Sequence, residues 1–108
     1  RGSPIMELTE QLIGDCSPYI GNLVYDIDVR LVFVELLDGP ESQNLKRRIV
    51  FPGIVSFHET NLLNQPEDDS IDDVVSIQRL DTNRLILTTY KKEILLNLTE
   101  EPFVEVID

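Results

Sequence analysis

The sequence predicts an α+β fold, mainly an antiparallel β-sheet meander with one short N-terminal helix. Apolar and polar residues alternate over several short stretches, and turn-forming residues separate these stretches at near-regular intervals. Helical spacing of apolar residues occurs near the start of the chain. Short strands joined by tight turns pair with their neighbours, so the sheet is expected to be largely antiparallel.

The helix is predicted at the start of the chain. Ser3-Pro4 suits an N-cap followed by the first helical position. Leu8, Leu12 and Ile13 then fall on one face. Gly14 supplies the stop. Part of this cap lies in a segment that we interpret as foreign to the native chain, so the native helix is expected to begin about one turn later.

Length and composition predict one globular domain. Residues 1–5 are interpreted as a cloning remnant, and residues 6–108 are expected to form a single domain near the commonest domain size. With 42% hydrophobic and 27% charged residues, the composition is that of a globular protein. No apolar run approaches the ~20 residues that span a membrane. The single cysteine, Cys16, suits a reducing compartment, so a cytoplasmic location is expected.

The longest strand is predicted over Leu23–Leu37. Every second residue from Leu23 to Phe33 is apolar, which is the period of a half-buried strand. The second half also fits helical spacing, but its β-branched and aromatic residues favour a strand. At this length the strand is expected to contain a bend or a bulge.

The remaining strands are shorter. Pro52-Gly53 interrupts the strand pattern and indicates a bulge or an edge position, while residues 60–73 are predicted to form a loop. The predicted strands after the first are Leu45–Phe51, Ile54–His58, Val74–Leu80, Leu85–Tyr90, Ile94–Leu98 and Phe103–Ile107.

The charge balance restricts the class of partner. The formal net charge is −11, from 20 acidic and 9 basic side chains. Phosphate binding needs clustered Lys and Arg, so direct binding to nucleic acid or to an anionic membrane is not expected. A basic protein partner would be attracted and steered instead. The same acidity also fits a protein that is merely kept soluble.

The candidate partner-binding residues are acidic. One group lies in the loop before the strand at Val74, and a second pair lies on the first strand. For that pair, ion pairing with Arg30, Lys46 and Arg48 is the simpler alternative. The candidates are Glu67, Asp68, Asp69, Asp72, Asp73, Asp26 and Asp28.

Calcium chemistry does not fit the acidic loop. Counted from Asp68, an EF-hand would need an acidic or amide residue at its third position, Gly at its sixth and Glu at its twelfth. The sequence has Ser70, Asp73 and Arg79 at these positions. No EF-hand and no metal ligand is therefore predicted, and weak surface binding of calcium is the lesser alternative to a solvated loop or an electrostatic contact for a basic partner.

Residues that usually carry catalysis are scarce. His58 is the only histidine, and it is interpreted as structural. Cys16 has no nearby basic cluster that would generate a reactive thiolate. No nucleophile elbow, phosphate-binding loop, dinucleotide fingerprint or paired C-x-x-C occurs. The sequence predicts no cofactor and no catalytic residues.

Three segments carry a resemblance to a known group of proteins. They are Val-Tyr-Asp-Ile-Asp-Val-Arg-Leu at 24–31, Phe-Pro-Gly-Ile-Val at 51–55 and Arg-Leu-Ile-Leu-Thr-Thr at 84–89. The chain from 23 to 98 resembles small acidic β-rich bacterial proteins, among them immunity proteins of polymorphic toxin systems. The resemblance implies a non-enzymatic protein that binds and blocks a toxin, and it transfers no site residue.

Two functions are expected from these observations. The first is a non-enzymatic cytoplasmic binding protein that captures a basic protein partner, such as a toxin, through an acidic surface. The alternative is a structural or oligomeric protein, including a homodimer, that assembles through exposed sheet edges such as Phe103–Ile107.

Overall fold

The computed structural model describes residues 6–14, 16–62 and 72–107. Strands dominate these residues, and a short helix follows the first strand. The elements are β1 (Met6–Glu7), α1 (Thr9–Ile13), β2 (Ile20–Asp26), β3 (Leu31–Leu37), β4 (Leu45–Phe51), β5 (Ile54–Asn61), β6 (Val74–Arg79), β7 (Arg84–Thr89), β8 (Lys92–Leu98) and β9 (Phe103–Val106). The expectation of antiparallel β-structure with one short helix near the N-terminus is confirmed.

The strands form two sheets, and not the single meander that was expected. One sheet has the order β1-β6-β7-β8-β5, and the other has the order β2-β3-β4-β9. All pairings are antiparallel. The chain passes from the four-stranded sheet to the five-stranded sheet between β4 and β5, and it returns between β8 and β9.

The two sheets share one hydrophobic core. Alternate residues of β3 point into it, including Val32 and Leu36, which are fully buried. Leu87 of β7 and Ile94 of β8 enter the same core from the other sheet. Burying an aliphatic side chain of this size contributes roughly 1.5–3 kcal/mol, so the period-two pattern determines which face of each strand turns inward.

Helix α1 packs beside this core. Leu12 and Ile13 are buried as the sequence pattern predicted. Gly14 has a φ of 64°, in the region that favours glycine, and its N–H donates to the carbonyl of Glu10. Leu8 occupies the N-cap position without a side-chain cap, and the predicted cap Ser3-Pro4 lies outside the described residues. In the described part of the chain, no helix has the length and apolar character needed to cross a lipid bilayer.

The prediction of one strand over Leu23–Leu37 is wrong. The chain reverses at residues 27–30, which separate β2 from β3. Tyr25 of β2 therefore faces Val32 of β3 across the hairpin. The alternation of apolar residues runs through the turn because Ile27 and Val29 are apolar there, although they are 66% and 63% exposed.

The later strand predictions agree with the fold in their order, but β5 runs to Asn61, so Thr60 and Asn61 belong to a strand and not to the loop predicted over residues 60–73. β4 has the predicted bounds, and Pro52-Gly53 separates it from β5. Gly53 has a φ of 65°, and a Cβ added there would meet Thr99 Oγ1 at 2.5 Å. β7 ends at Thr89, one residue before the predicted end at Tyr90, and β8 begins at Lys92, two residues before the predicted start at Ile94, so the turn between them falls at residues 90–91.

Candidate binding surface

The described residues include four of the seven acidic candidates. Glu67, Asp68 and Asp69 lie outside the described residues, so their contribution stays a prediction.

The four described candidates form two separate pairs. Asp26 and Asp28 lie at and just beyond the end of β2, whereas Asp72 and Asp73 precede β6. The N–H of Ile20, at the start of β2, donates to the carbonyl oxygen of Asp72 at 2.9 Å. The seven-residue strand β2 therefore separates the two pairs by about 20 Å.

Asp26 shapes the turn between β2 and β3. Its Oδ1 accepts hydrogen bonds from the backbone N–H groups of Asp28 at 3.0 Å and Val29 at 3.3 Å. This is an Asx turn, which lets a short side chain stand in for a backbone acceptor. It leads into Arg30, whose φ is 58°, a left-handed conformation that is uncommon outside glycine. Asp26 is therefore part of the hairpin architecture.

The expected ion pairs of Asp26 and Asp28 with the next strands do not occur. Lys46 lies 3.7 Å from Asp38. Arg48 pairs with Glu35 and Glu105. The expectation fails because the turn at residues 27–30 removes Asp28 from the sheet. Asp26 stays in the sheet, but it lies opposite Leu31 at the start of β3, whereas Arg48 lies opposite Glu35 nearer the end of that strand.

Asp72 clamps the turn between β7 and β8. Its Oδ1 accepts the backbone N–H of Lys91 at 3.1 Å, and its Oδ2 accepts the hydroxyl of Thr89 at 3.0 Å. Thr89 is 1% exposed, and its Oγ1 also accepts the backbone N–H of Lys92 at 3.0 Å. The carboxylate of Asp72 thus completes a hydrogen-bonded turn in addition to any contact with a partner.

Asp73 contributes mainly through its backbone. It forms an isolated bridge with Tyr19, and its carbonyl accepts the N–H of Tyr90 at 3.0 Å. Its carboxylate has no hydrogen bond or ion pair with the described residues, and the same is true of the Asp28 carboxylate. Among the described candidates, Asp28 and Asp73 are therefore the two whose side chains are available to a partner.

Basic side chains neutralise only part of the acidic surface. The ion pairs of the described residues are Lys46–Asp38, Arg48–Glu35, Arg48–Glu105, Arg79–Glu101, Arg84–Asp81 and Lys92–Glu59. Other carboxylates have no described cation within salt-bridge distance, and these include Glu41, Glu93 and Glu100, all on exposed residues. The five cations in these pairs are occupied by carboxylates of the same chain, so the net field of the surface is negative.

An apolar row crosses the outer face of the four-stranded sheet. The register places Val24 beside Phe33, Phe33 beside Val50 and Val50 beside Phe103. Val50 is buried, but the two ends of the row are open, with Val24 39% and Phe103 45% exposed. This apolar row lies on the face opposite the core, so it offers apolar area to a partner.

A polar row runs beside the apolar row, two residues along each strand. It consists of Asn22, Glu35, Arg48 and Glu105. Glu35 is 7% exposed, and it accepts hydrogen bonds from Asn22 Nδ2 at 2.8 Å and from Arg48 Nε at 2.9 Å and Nη2 at 2.6 Å. Every strand of the sheet contributes one member, so this network fixes the register of all four strands.

Arg48 lies at the centre of these two rows. Its Nη1 donates to Glu105 Oε1 at 3.1 Å, and its Cζ lies 5.2 Å from the centroid of the Phe33 ring. The Glu35 carboxylate, with a smaller contribution from Glu105, raises the pKa of Arg48. The arginine stays charged and remains paired with its two carboxylates, which makes it part of the scaffold for the exposed Glu105.

Strand β9 is an edge of its sheet in the described part of the chain. The N–H of Ile107 donates to the carbonyl of Lys46 at 3.0 Å. Because the hydrogen-bonded positions of an antiparallel pair alternate, Phe103 and Glu105 also turn their backbone groups toward β4. Val104 and Val106 therefore direct their N–H and C=O groups to the open edge.

The residues considered for chemistry are dispersed. His58 is exposed on β5, opposite Leu95, and Cys16 is 7% exposed in the core, with Sγ 3.9 Å from the carbonyl oxygen of Leu37. Within residues 6–14, 16–62 and 72–107, no three Asp, Glu, His or Cys side chains lie close enough to hold a metal ion. An open depression is lined by Asp38, Gln43, Asn44, Leu45, Lys46 and Ile107.

Sequence reasoning missed the apolar and polar rows, although a signal was present. Phe33 and Glu35 occupy one face of their strand, and Val50 and Arg48 occupy one face of theirs. An apolar and a charged residue two positions apart on two neighbouring strands indicate a mixed face that is not simply core. The fourth strand, β9, could not be assigned beside β4 from the sequence, because more than fifty residues separate them along the chain.

Comparison of the chain with protein-family models, with curated proteins and with solved structures found no match.

Proposed function

We propose that this protein is a non-enzymatic cytoplasmic binding protein that captures a basic protein partner through its acidic surface. The observation that supports this most directly is the surplus of carboxylates. The chain carries a charge of −11, and its described ion pairs occupy the cations of Lys46, Arg48, Arg79, Arg84 and Lys92.

The physical consequence is long-range attraction of a positively charged partner. Summed surface charge steers encounter and raises the association rate by roughly 10–10³-fold at low ionic strength. The same field repels nucleic acid and anionic lipid. A secreted or injected basic toxin is a partner of this chemistry, and an acidic protein that blocks it would act as an immunity protein or an inhibitor does.

The test is affinity capture from extracts of the source cell with two matched variants. One variant removes four exposed carboxylates that have no described polar contact, which changes the net charge from −11 to −7, four fewer negative charges. The control changes four exposed neutral residues. The neutralised variant is Asp28→Asn, Glu41→Gln, Glu93→Gln and Glu100→Gln, and the control is Gln11→Asn, Gln43→Asn, Thr60→Ser and Thr82→Ser.

The expected result is one predominant basic protein retained by the wild type and by the control, and retained less by the neutralised variant. Raising the salt concentration should reduce the wild-type signal toward that of the variant, because salt screens exposed charges over about 10 Å at 0.1 M. Equal capture of an acidic or neutral protein by all three proteins would contradict the proposal.

A second candidate function is assembly of identical chains through sheet edges. The open edge of β9 favours it, with Val106 70% exposed and Ile107 40% exposed. Multi-angle light scattering separates the two functions. A concentration-independent monomer argues for capture of a partner, whereas a tight homodimer whose formation is lost with Val106→Pro argues for assembly.

A further inference from the structure

The open edge of β9 offers hydrogen-bonding groups to an added strand, and it is one of the sheet edges in the described part of the chain, together with β1, β2 and β5. Val104 and Val106 direct two N–H groups and two C=O groups away from β4. Unpaired edge groups of this kind are a template for another extended segment. In the described part of the chain, no strand pairs with this edge.

The side chains along this edge define what the added strand should carry. The outer face of this edge carries Phe103, Glu105 and Ile107. All three side chains are exposed, Phe103 by 45% and Ile107 by 40%. Glu105 Oε1 is held by Arg48, whereas Oε2 has no partner among the described residues. An added strand would therefore meet an apolar side chain, then a carboxylate oriented by Arg48, then a second apolar side chain.

A second copy of the chain is a poor occupant. Two copies can pair in the antiparallel direction through the outward groups of Val104 and Val106. Val104 of one copy then lies opposite Val106 of the other. This register places the two Glu105 side chains directly opposite each other, where like charges are destabilising. Two chains of charge −11 also repel each other at long range. Charge complementarity favours a basic strand.

We propose that β9 accepts an extended basic segment of the partner as an added strand. The segment carries Lys or Arg opposite Glu105 and apolar residues opposite Phe103 and Ile107. Its pattern is apolar-x-basic-x-apolar, which reads the same in both strand directions. This inference rests on the proposed function, and it names the surface and the form in which the basic partner is recognised.

The test is a titration of the isotopically labelled full chain with a synthetic peptide, followed through backbone amide shifts in NMR spectra. The probe is capped Thr-Val-Thr-Arg-Thr-Val-Thr at up to millimolar concentration. One control replaces Arg by Glu. A second control, Thr-Val-Arg-Thr-Thr-Val-Thr, keeps the composition but moves Arg to the opposite face of the strand.

The expected result is saturable shifts at the amides of Val104 and Val106 with the first peptide. The peptide with the moved Arg should bind up to about fivefold more weakly, because it loses the charge pair with Glu105, and the Glu peptide should bind more weakly still, because it places a like charge opposite Glu105. Glu105→Lys should weaken binding of the Arg peptide and strengthen binding of the Glu peptide. No response of affinity to this reversal would overturn the inference.

Val106→Pro tests the backbone directly. The N–H of Val106 does not bond to β4, so proline should leave the fold intact while removing an outward donor. Binding should fall at least about tenfold. Val106→Thr keeps the amide and should bind like the wild type. If both variants unfold at the wild-type temperature, the loss of binding by Val106→Pro comes from the missing N–H at the edge of β9 and not from a destabilised fold.

Other outcomes separate this inference from the proposed function. Shifts confined to acidic turns such as Asp28 would overturn recognition at β9, while capture of a basic partner could still succeed. A titration in which no amide shifts would also overturn recognition at β9. Concentration-dependent shifts of Val104 and Val106 without peptide would identify a second copy as the occupant and also overturn it.

Discussion

Replacing Asp72 with alanine tests whether this predicted partner-binding residue mainly stabilises the turn between β7 and β8. The substitution removes acceptors for the backbone N–H of Lys91 and for the hydroxyl of Thr89. Hydrogen bonds to charged acceptors contribute about 1.5–3 kcal/mol each. The Thr89 hydroxyl keeps a second acceptor, the Lys92 carbonyl at 3.2 Å, and the Lys91 N–H keeps Thr89 Oγ1 at 3.2 Å, so the loss is smaller than the sum. We expect the free energy of unfolding to fall by about 2 kcal/mol.

The matched control is Asp73→Ala. It removes the same charge from the neighbouring position, where the carboxylate has no described polar contact. We expect a change within about 0.5 kcal/mol, as for most surface substitutions. The two variants therefore separate loss of the clamp from loss of charge.

The assay is urea unfolding followed by circular dichroism, with thermal unfolding as a second measure. A loss of about 2 kcal/mol corresponds to a decrease of roughly 8 °C in Tm for a domain of this size. Equal stability of Asp72→Ala and Asp73→Ala would refute the clamp. In that case the hydrogen bonds of Asp72 contribute little, and its main role would be toward a partner.

Three further predictions concern stability. Glu35→Ala should lower the free energy of unfolding by about 2–3 kcal/mol, because it leaves the half-buried Arg48 without its principal carboxylate. Replacing the exposed Glu105 with alanine should lower it by less than about 1 kcal/mol. Equal losses in urea unfolding would contradict this difference. Leu87→Ala should cost about 2–5 kcal/mol, since Leu87 is fully buried, and a loss below 1 kcal/mol would show that the core has been misassigned. Hydrogen bonds from Arg84 hold the pKa of the Asp81 carboxyl below its usual value of 3.8. The stability that this carboxylate gives to the folded protein is therefore fully present above the unfolded-state pKa, and it is lost as the pH falls through the folded-state pKa. Asp81→Asn should therefore lower Tm at neutral pH and leave it unchanged at a pH below the folded-state pKa; a constant difference across the titration would argue against this linkage.

The strands could be predicted where their ends carry turn chemistry. Pro52-Gly53 marked the boundary between β4 and β5, and the Asp81-Thr82-Asn83 turn separated β6 from β7. The boundary between β2 and β3 was missed because Ile27 and Val29 continue the alternation through the turn. The decisive local signal there is Asp26, whose side chain accepts the turn's N–H groups.

The candidate site was less predictable because its members meet through sheet register. The role of Asp72 depends on Thr89 and Lys91, which reach it only when β6, β7 and the start of β8 are in place. The sequence shows a carboxylate in an acidic run, and such a residue is usually solvated. Glu35 offered a clearer signal, since a charge within an apolar strand must be paired if it is buried.

The division into two sheets was also beyond the sequence pattern. Alternation assigns residues to faces but does not specify which strands become neighbours. β9 returns to the four-stranded sheet and pairs with β4, which places Glu105 beside Arg48. That single pairing creates the edge on which the partner is proposed to bind.

Electrostatic capture is tested most directly by the association rate of the captured partner, measured by stopped flow as ionic strength is raised. Electrostatic capture predicts that the wild-type rate falls steeply with salt and that the four-site neutralised variant gives a slower rate and a flatter dependence. The four-site neutral control should follow the wild type. A rate that is the same for all three proteins at every ionic strength would contradict capture through the acidic surface.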